Sequence, residues 1–173
     1  METQEYLDIV DENDRVITKM TIEDAYKQSI GNIRWVCLMI RNDEGKLWIP
    51  RRLLTKSKFP WALDYSVWGH VSSWETYVDG LIREAQEEIC MILDRTELNY
   101  IGKIVQDDDI YHIRFFAEIY EYITNTPPGI NKNEHSTSYW FTPDELYAKL
   151  LNPDEPPYKT GLKEVLEKFY LIH

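Results

Sequence analysis

The chain has 173 residues and a formal net charge of −11, with 43% hydrophobic and 13% aromatic residues. That apolar content supplies a core and excludes an intrinsically disordered chain, and the length suits a single domain over residues 1–173 that buries roughly two thirds of its unfolded surface. The acidic balance argues against non-specific binding to a nucleic acid duplex or an anionic membrane, although a bound cation and a few local basic residues still allow a nucleotide.

The N-terminus METQEYLDIVDEND has no basic stretch leading into an apolar core, so no signal peptide is expected. Apolar runs stop far short of the ~20 residues that span a bilayer. Cys37 and Cys90 are the only cysteines, which fits a reducing, cytoplasmic interior. Cys37, inside the run WVCLMI, reads as a small buried hydrophobe.

In chain order, residues 6–9 and 15–18 flank the turn-prone DEND and predict a hairpin. A short helix follows over 21–30, with Thr21 as N-cap and Gly31 ending it. Strands over 34–41 and 46–51 enclose the turn NDEG. The basic stretch 51–60, RRLLTKSKFP, is expected to be a loop. Residues 67–71 lead into a helix over 76–89, where Val78, Leu81, Ile82, Ala85 and Ile89 form an apolar stripe. Gly80 inside that helix costs about 1 kcal/mol against alanine, for which close packing on a sheet is one reason.

Two strands over 99–105 and 110–122 are expected on either side of a polar QDDD turn. TPPG breaks the chain, YWF is a short strand, and TPDE starts a helix with a threonine cap, proline at the first position and glutamate at the third. A last helix is expected over 161–171. Strands and helices mixed in this way give an α/β class, an α/β/α sandwich with a mixed sheet.

The chemistry concentrates between Gly69 and Met91. Glu84, Glu87 and Glu88 lie at i, i+3 and i+4, so on a helix they share one face within roughly 100° of arc. Like charges so placed repel. A hard cation such as Mg²⁺ removes that penalty, because it takes one or two carboxylates plus water and phosphate oxygens. A solvated acidic face is the alternative.

The wider pattern favours the cation. Gly69, Glu75, Arg83-Glu84-Ala85 and Glu87-Glu88 reproduce G-x5-E-x7-R-E-U-x-E-E-x-G-U, with U an apolar residue, and only Cys90 departs, standing where the second glycine belongs. The segment resembles the Nudix box, and the chain is identified as a member of the Nudix hydrolases. That resemblance implies the Nudix sandwich fold and Mg²⁺-dependent cleavage of nucleoside diphosphates linked to another group, with Mn²⁺ as a possible substitute. It also implies that Glu84, Glu87 and Glu88 hold the cation, that the Gly69 carbonyl completes the site, and that Arg83 pairs with Glu75 to pin the loop over the helix. The Cys90 departure is expected either to keep a left-handed conformation or to let the helix run on through Met91. Trp74 takes the place of a small residue before Glu75 and would narrow the entrance.

Other family positions follow from NKNEHSTSYWFTPDEL, where Glu134 matches a loop glutamate and is a candidate metal ligand or general base. Asp107, Asp108 and Asp109 are weaker candidates for that role. Arg51, Arg52 and Lys56 leave the preceding strand in a position to clamp a phosphate. Trp61, Trp68 and Trp74 surround the box, where a ring could stack on a base, and His70 and His112 could touch phosphate or base. LWIPRR, TKSKFP and ALDYSVWGHV resemble the subgroup related to isopentenyl diphosphate isomerase. Those isomerases place a catalytic cysteine before the Gly-His pair, and Trp68 stands there instead. Isomerase and non-catalytic nucleotide-binding module are therefore alternatives to a hydrolase acting on a small nucleotide or diphosphate. Nudix proteins are often dimers, which makes a homodimer an expectation.

Overall fold

The computed structural model describes residues 5–30, 32–108, 113–155 and 157–171. The expected hairpin joins β1 (Tyr6–Val10) to β2 (Val16–Thr21), and Asp14 turns the chain in the left-handed region at φ 61°. α1 (Ile22–Lys27) starts at Thr21, whose hydroxyl accepts from the Asp24 N–H at 3.1 Å. This helix is shorter than the sequence suggests. Ser29 takes the left-handed position at φ 49°, and the N–H groups of Ser29 and Ile30 close on the carbonyls of Tyr26 and Ala25. That Schellman-type cap stops the helix early; Gly31 lies outside the described residues.

β3 (Ile33–Arg41) is the central strand. One edge pairs in parallel with β7 (Ile113–Ile123) along its whole length. The other edge is shared by three antiparallel strands: β1 at Ile33, β5 (Val67–His70) at residues 35–38, and β4 (Leu47–Arg52) at Ile40 and Arg41. β6 (Asn99–Asp108) extends the sheet beyond β7, and β8 (His135–Phe141) extends it beyond β4, giving eight strands among the described residues.

WVCLMI is apolar throughout because both of its faces are covered. Cys37 and Met39 pack with Leu146 and Leu150 of α3 (Pro143–Leu151) and with Leu162, Val165 and Leu166 of α4 (Leu162–Phe169). Val36, Leu38 and Ile40 face the other way, onto Leu81, Ala85 and Ile89 of α2 (Tyr77–Ile89). The architecture is thus an α/β/α sandwich around a mixed sheet, as the sequence indicates. α1 closes a smaller cluster with Leu7, Ile9, Ile33 and Phe115.

β6 departs from expectation. It runs through Asp108 because its ladder with β7 continues, placing Asp107 opposite Arg114 with an ion pair at 2.7 Å. Asp107 and Asp108 are therefore strand residues rather than a turn. Asp109 and His112 lie outside the described residues.

α2 carries the box. Thr76 caps it, exchanging bonds with Asp79 in a capping box. Leu81, Ala85 and Ile89 are buried, with Val78 and Ile82 at the margin of the same cluster. A Cβ at Gly80 would stand 3.2 Å from Glu75 Oε2 and 3.5 Å from Val71 Cα, so close packing accounts for that glycine. Cys90 keeps the left-handed conformation at φ 54°, and the helix ends at Ile89 instead of running on. Holding a non-glycine residue there costs roughly 1 kcal/mol.

Candidate active site

β5 and α2 bring the box together. Gly69 lies in β5, and Glu84 in α2 is pressed against its Cα. A Cβ added at Gly69 would stand 2.0 Å from Glu84 Cδ, so only glycine admits this carboxylate. Arg83 anchors the arrangement from below. Its Nε and Nη2 donate to the two oxygens of Glu75 at 2.7 and 2.9 Å, Nη2 also donates to the His70 carbonyl at 3.0 Å, and Nη1 donates to Glu84 Oε1 at 2.8 Å. Burial pushes the Glu75 carboxyl up, but the Arg83 bonds and the Ser72 N–H outweigh it and hold it below the usual range. Glu75 and Arg83 thus link the loop after β5 to the helix.

Glu84 and Glu88 both line a cavity of about 620 Å³. Glu88 accepts from the Trp68 N–H at 3.1 Å. Burial pushes Glu84 up to about 7, with Arg83 opposing, and pushes Glu88 up to about 8, with Lys159 opposing. Each carboxyl keeps its proton far above the ordinary carboxylate range because the protein does not fully compensate its charge. Glu87 differs. Its side chain is 59% exposed and meets the edge of Arg83 at 3.5 Å. Among the described residues no three His, Cys, Asp or Glu side chains converge into a metal cage. The buried oxygen donors of Glu84 and Glu88 beside Gly69 nonetheless suit a hard divalent cation.

The loop residues separate by side. Arg52 lines the cavity and donates to Asp64 Oδ2 at 2.8 Å. Arg51, one residue earlier in β4, points away from it: its guanidinium donates to the Trp61 carbonyl at 2.9 Å and lies over the rings of Trp61 and Tyr139. Alternation along a strand sends neighbours to opposite faces. Glu134 lines the cavity and is ion-paired with Lys56, which is not part of the wall.

Of the three tryptophans near the box, only Trp68 belongs to the cavity, stacked on Tyr65 with centroids 4.8 Å apart. Trp74 is largely solvent-exposed and Trp61 packs on Arg51. His70 lines the cavity, its Nε2 3.1 Å from the Tyr26 hydroxyl, and burial holds it neutral with a pKa near 3. Asp107 stands at the rim.

Sequence reasoning missed Trp35, Lys58, Phe115 and Lys159, which all line the cavity, and the buried Asp64 behind it. Asp64 left a trace, as a lone acid in the otherwise uncharged run ALDYSVW. Lys159 left none, because a lysine in PPYKT reads as surface.

A NUDIX domain model matches residues 32–164. The chain is 39% identical over 170 residues to an uncharacterised Nudix hydrolase of Nostoc sp., covering 98% of each chain. It is 33% identical over 168 residues to a Nudix hydrolase of Deinococcus radiodurans, covering 97% of this chain and 95% of the other. The crystal structure of DR0079 from Deinococcus radiodurans superposes with a TM-score of 0.83 at 33% identity, over 96% of this chain and 100% of that one. A MutT NUDIX hydrolase from Burkholderia pseudomallei, 18% identical with a TM-score of 0.61 over 78% of this chain and 95% of the other, shares the fold. By its box, its fold and these relatives, the chain belongs to the Nudix hydrolase family.

Proposed function

We propose that this protein hydrolyses a diphosphate linkage with the help of Mg²⁺, and that its substrates are nucleoside di- or triphosphates or nucleoside diphosphate conjugates. The observation that carries the reading is the placement of two buried, incompletely compensated carboxylates, Glu84 and Glu88, on the wall of a cavity of about 620 Å³. That volume suits a small-molecule substrate. Glu84, Glu88 and, after a side-chain rotation, Glu87 would hold the cation with the Gly69 carbonyl, and Mn²⁺ would serve in place of Mg²⁺. When bound, the cation polarises a phosphoryl oxygen and lowers the pKa of a coordinated water.

The chain's own groups do the rest. Arg83 fixes Glu84, and Glu75 fixes Arg83. Glu134, once released from Lys56, orients or deprotonates the attacking water. Arg52 takes a phosphate oxygen, and Trp35 and Trp68, which pack on each other in the wall, bound the space for the rest of the substrate. Arg51 enters this reading as a structural residue. The isomerase alternative lacks its acid–base cysteine, since Trp68 occupies that position in the wall. The chain otherwise resembles the isomerase-related subgroup. A cytoplasmic location and a homodimer remain part of the reading; no helix among the described residues is long and apolar enough to cross a membrane.

The test is phosphate and pyrophosphate release from a panel of nucleotides and conjugates, with and without Mg²⁺. Glu87→Gln and Glu88→Gln are expected to lower turnover by at least ~100-fold in proteins that stay folded. Rates near wild type in both variants would remove the metal assignment. No release from any substrate, with Mg²⁺ still bound, would favour the binding module.

A further inference from the structure

Three chain segments meet behind the wall facing Glu88. At the end of β4, the Arg52 N–H donates to the Ala62 carbonyl at 2.9 Å, and the Asp64 N–H donates to the Pro50 carbonyl at 3.0 Å. On the other side the Leu63 N–H donates to Pro157 O, and the Lys159 N–H donates to Leu63 O, each at 2.9 Å. This ladder sets Arg52, Asp64 and Lys159 side by side, although they come from distant parts of the sequence.

The Asp64 carboxylate, with its side chain 4% exposed, accepts from Arg52 Nη1 and from the Tyr65 N–H, both at 2.8 Å. It also stands 3.4 Å from Lys159 Nζ, which lies 4.6 Å from the Trp68 ring centroid. Arg52 and Lys159 line the cavity; Asp64 does not. An ammonium has three donors, and one contact at 3.4 Å uses them poorly. Asp64 is thus shared between two cations, and Lys159 also faces Glu88 across the cavity, where burial keeps that carboxyl from carrying a full charge. A buried ion pair gains little over apolar packing, and an extra cation gains less. The arrangement becomes favourable when an anion enters the cavity.

We infer that Lys159 contacts the substrate, its Nζ donating to a non-bridging phosphate oxygen, and that Asp64 is a positioning residue holding Lys159 and Arg52 as a two-pronged clamp. The inference rests on the diphosphate reading and sharpens it. The substrate carries two adjacent phosphate groups, one toward Glu84 and Glu88 and the other on the Arg52–Lys159 clamp.

The test is calorimetric titration of the full chain with methylenediphosphonate in the presence of Mg²⁺, and separately with Mg²⁺ alone. Lys159→Met is expected to weaken diphosphonate binding by about tenfold, the loss of one charge-assisted contact, a larger effect than the change in Mg²⁺ affinity that follows from its charge facing Glu88, and Lys159→Arg recovers most of the loss. Turnover of the best substrate should show the same effect as a raised KM. A lysine that only offsets the charge of Glu88 gives the reverse, altered Mg²⁺ affinity with unchanged diphosphonate binding, and that result overturns the inference. Should Lys159→Met fail to fold, the ¹⁵Nζ resonance of Lys159 in the wild-type protein decides. Movement on adding diphosphonate supports the contact, and an unmoved signal overturns it. Wild-type protein that binds no diphosphonate removes the diphosphate reading along with the inference, whereas binding retained in Lys159→Met removes the Lys159 assignment alone.

Discussion

Gly69→Ala tests how tightly the box is assembled. The added Cβ would stand 2.0 Å from Glu84 Cδ, 2.2 Å from Oε1 and 2.3 Å from Cγ. Ordinary contact between carbons is about 3.5 Å, so the whole carboxylate must leave. Gly69 lies in a strand, so the backbone itself accepts alanine, and the entire penalty is the clash. Overpacking of this kind costs about 1–3 kcal/mol. Removing the obstacle instead, by Glu84→Ala, gives up the bond from Arg83 but also removes a carboxyl that burial disfavours, so its own cost should be smaller. In the double variant the methyl finds free space, and the cost should return to that of Glu84→Ala alone. A coupling of about 1–3 kcal/mol between the two positions is therefore expected in a double-mutant cycle. The assay is urea unfolding of the four proteins without divalent cations, read as the change in midpoint at constant slope. Costs that add to within about 0.5 kcal/mol would refute the claim that Glu84 occupies the space of the missing side chain.

The metal-free protein should lose stability as pH rises from the ordinary glutamate range through about 7 and 8, because Glu84 and Glu88 have folded pKa values raised to those levels by burial. The folded state then binds more protons than the unfolded state in that window, so the slope of stability with pH is negative, worth on the order of 3 kcal/mol for Glu84 alone. Mg²⁺ should flatten the curve, and thermal melts from pH 5 to 9 that show no metal-free decline would contradict it. Cys90→Gly should raise stability by up to about 1 kcal/mol by relieving the left-handed conformation, with an unchanged or lower melting temperature as the contrary result. Arg51→Ala should lower the melting temperature with little change in KM, whereas Arg52→Ala should raise KM. Steady-state kinetics beside calorimetry checks the pair, and a raised KM in Arg51→Ala would put that guanidinium back among the phosphate ligands.

Local signals were the legible ones. The spacing of Glu75, Arg83, Glu84 and Glu88, the Thr142 cap and the apolar stripe of α2 are each written within a few helical turns. Period and capping chemistry act over that range, so the sequence alone determined most of the elements and the box, though not where α1 ends or that β6 runs through the acidic stretch. It left Cys90 open, because a helix end can be held by the residue's own preference or by the packing around it. The structure settles the matter, keeping Cys90 left-handed at φ 54°.

Tertiary structure decided the rest of the cavity. Arg51 and Arg52 are adjacent basic residues in sequence, and only the register of β4 shows that Arg52 reaches Asp64 while Arg51 turns to Trp61. Glu87 shares a helical face with Glu84, yet contact with β5 buries one and leaves the other in solvent. Lys159 is buried because its segment is strapped to Leu63, nearly a hundred residues earlier in the chain. Pairing between such distant segments depends on the register and packing of the whole sheet, which no short window of residues encodes.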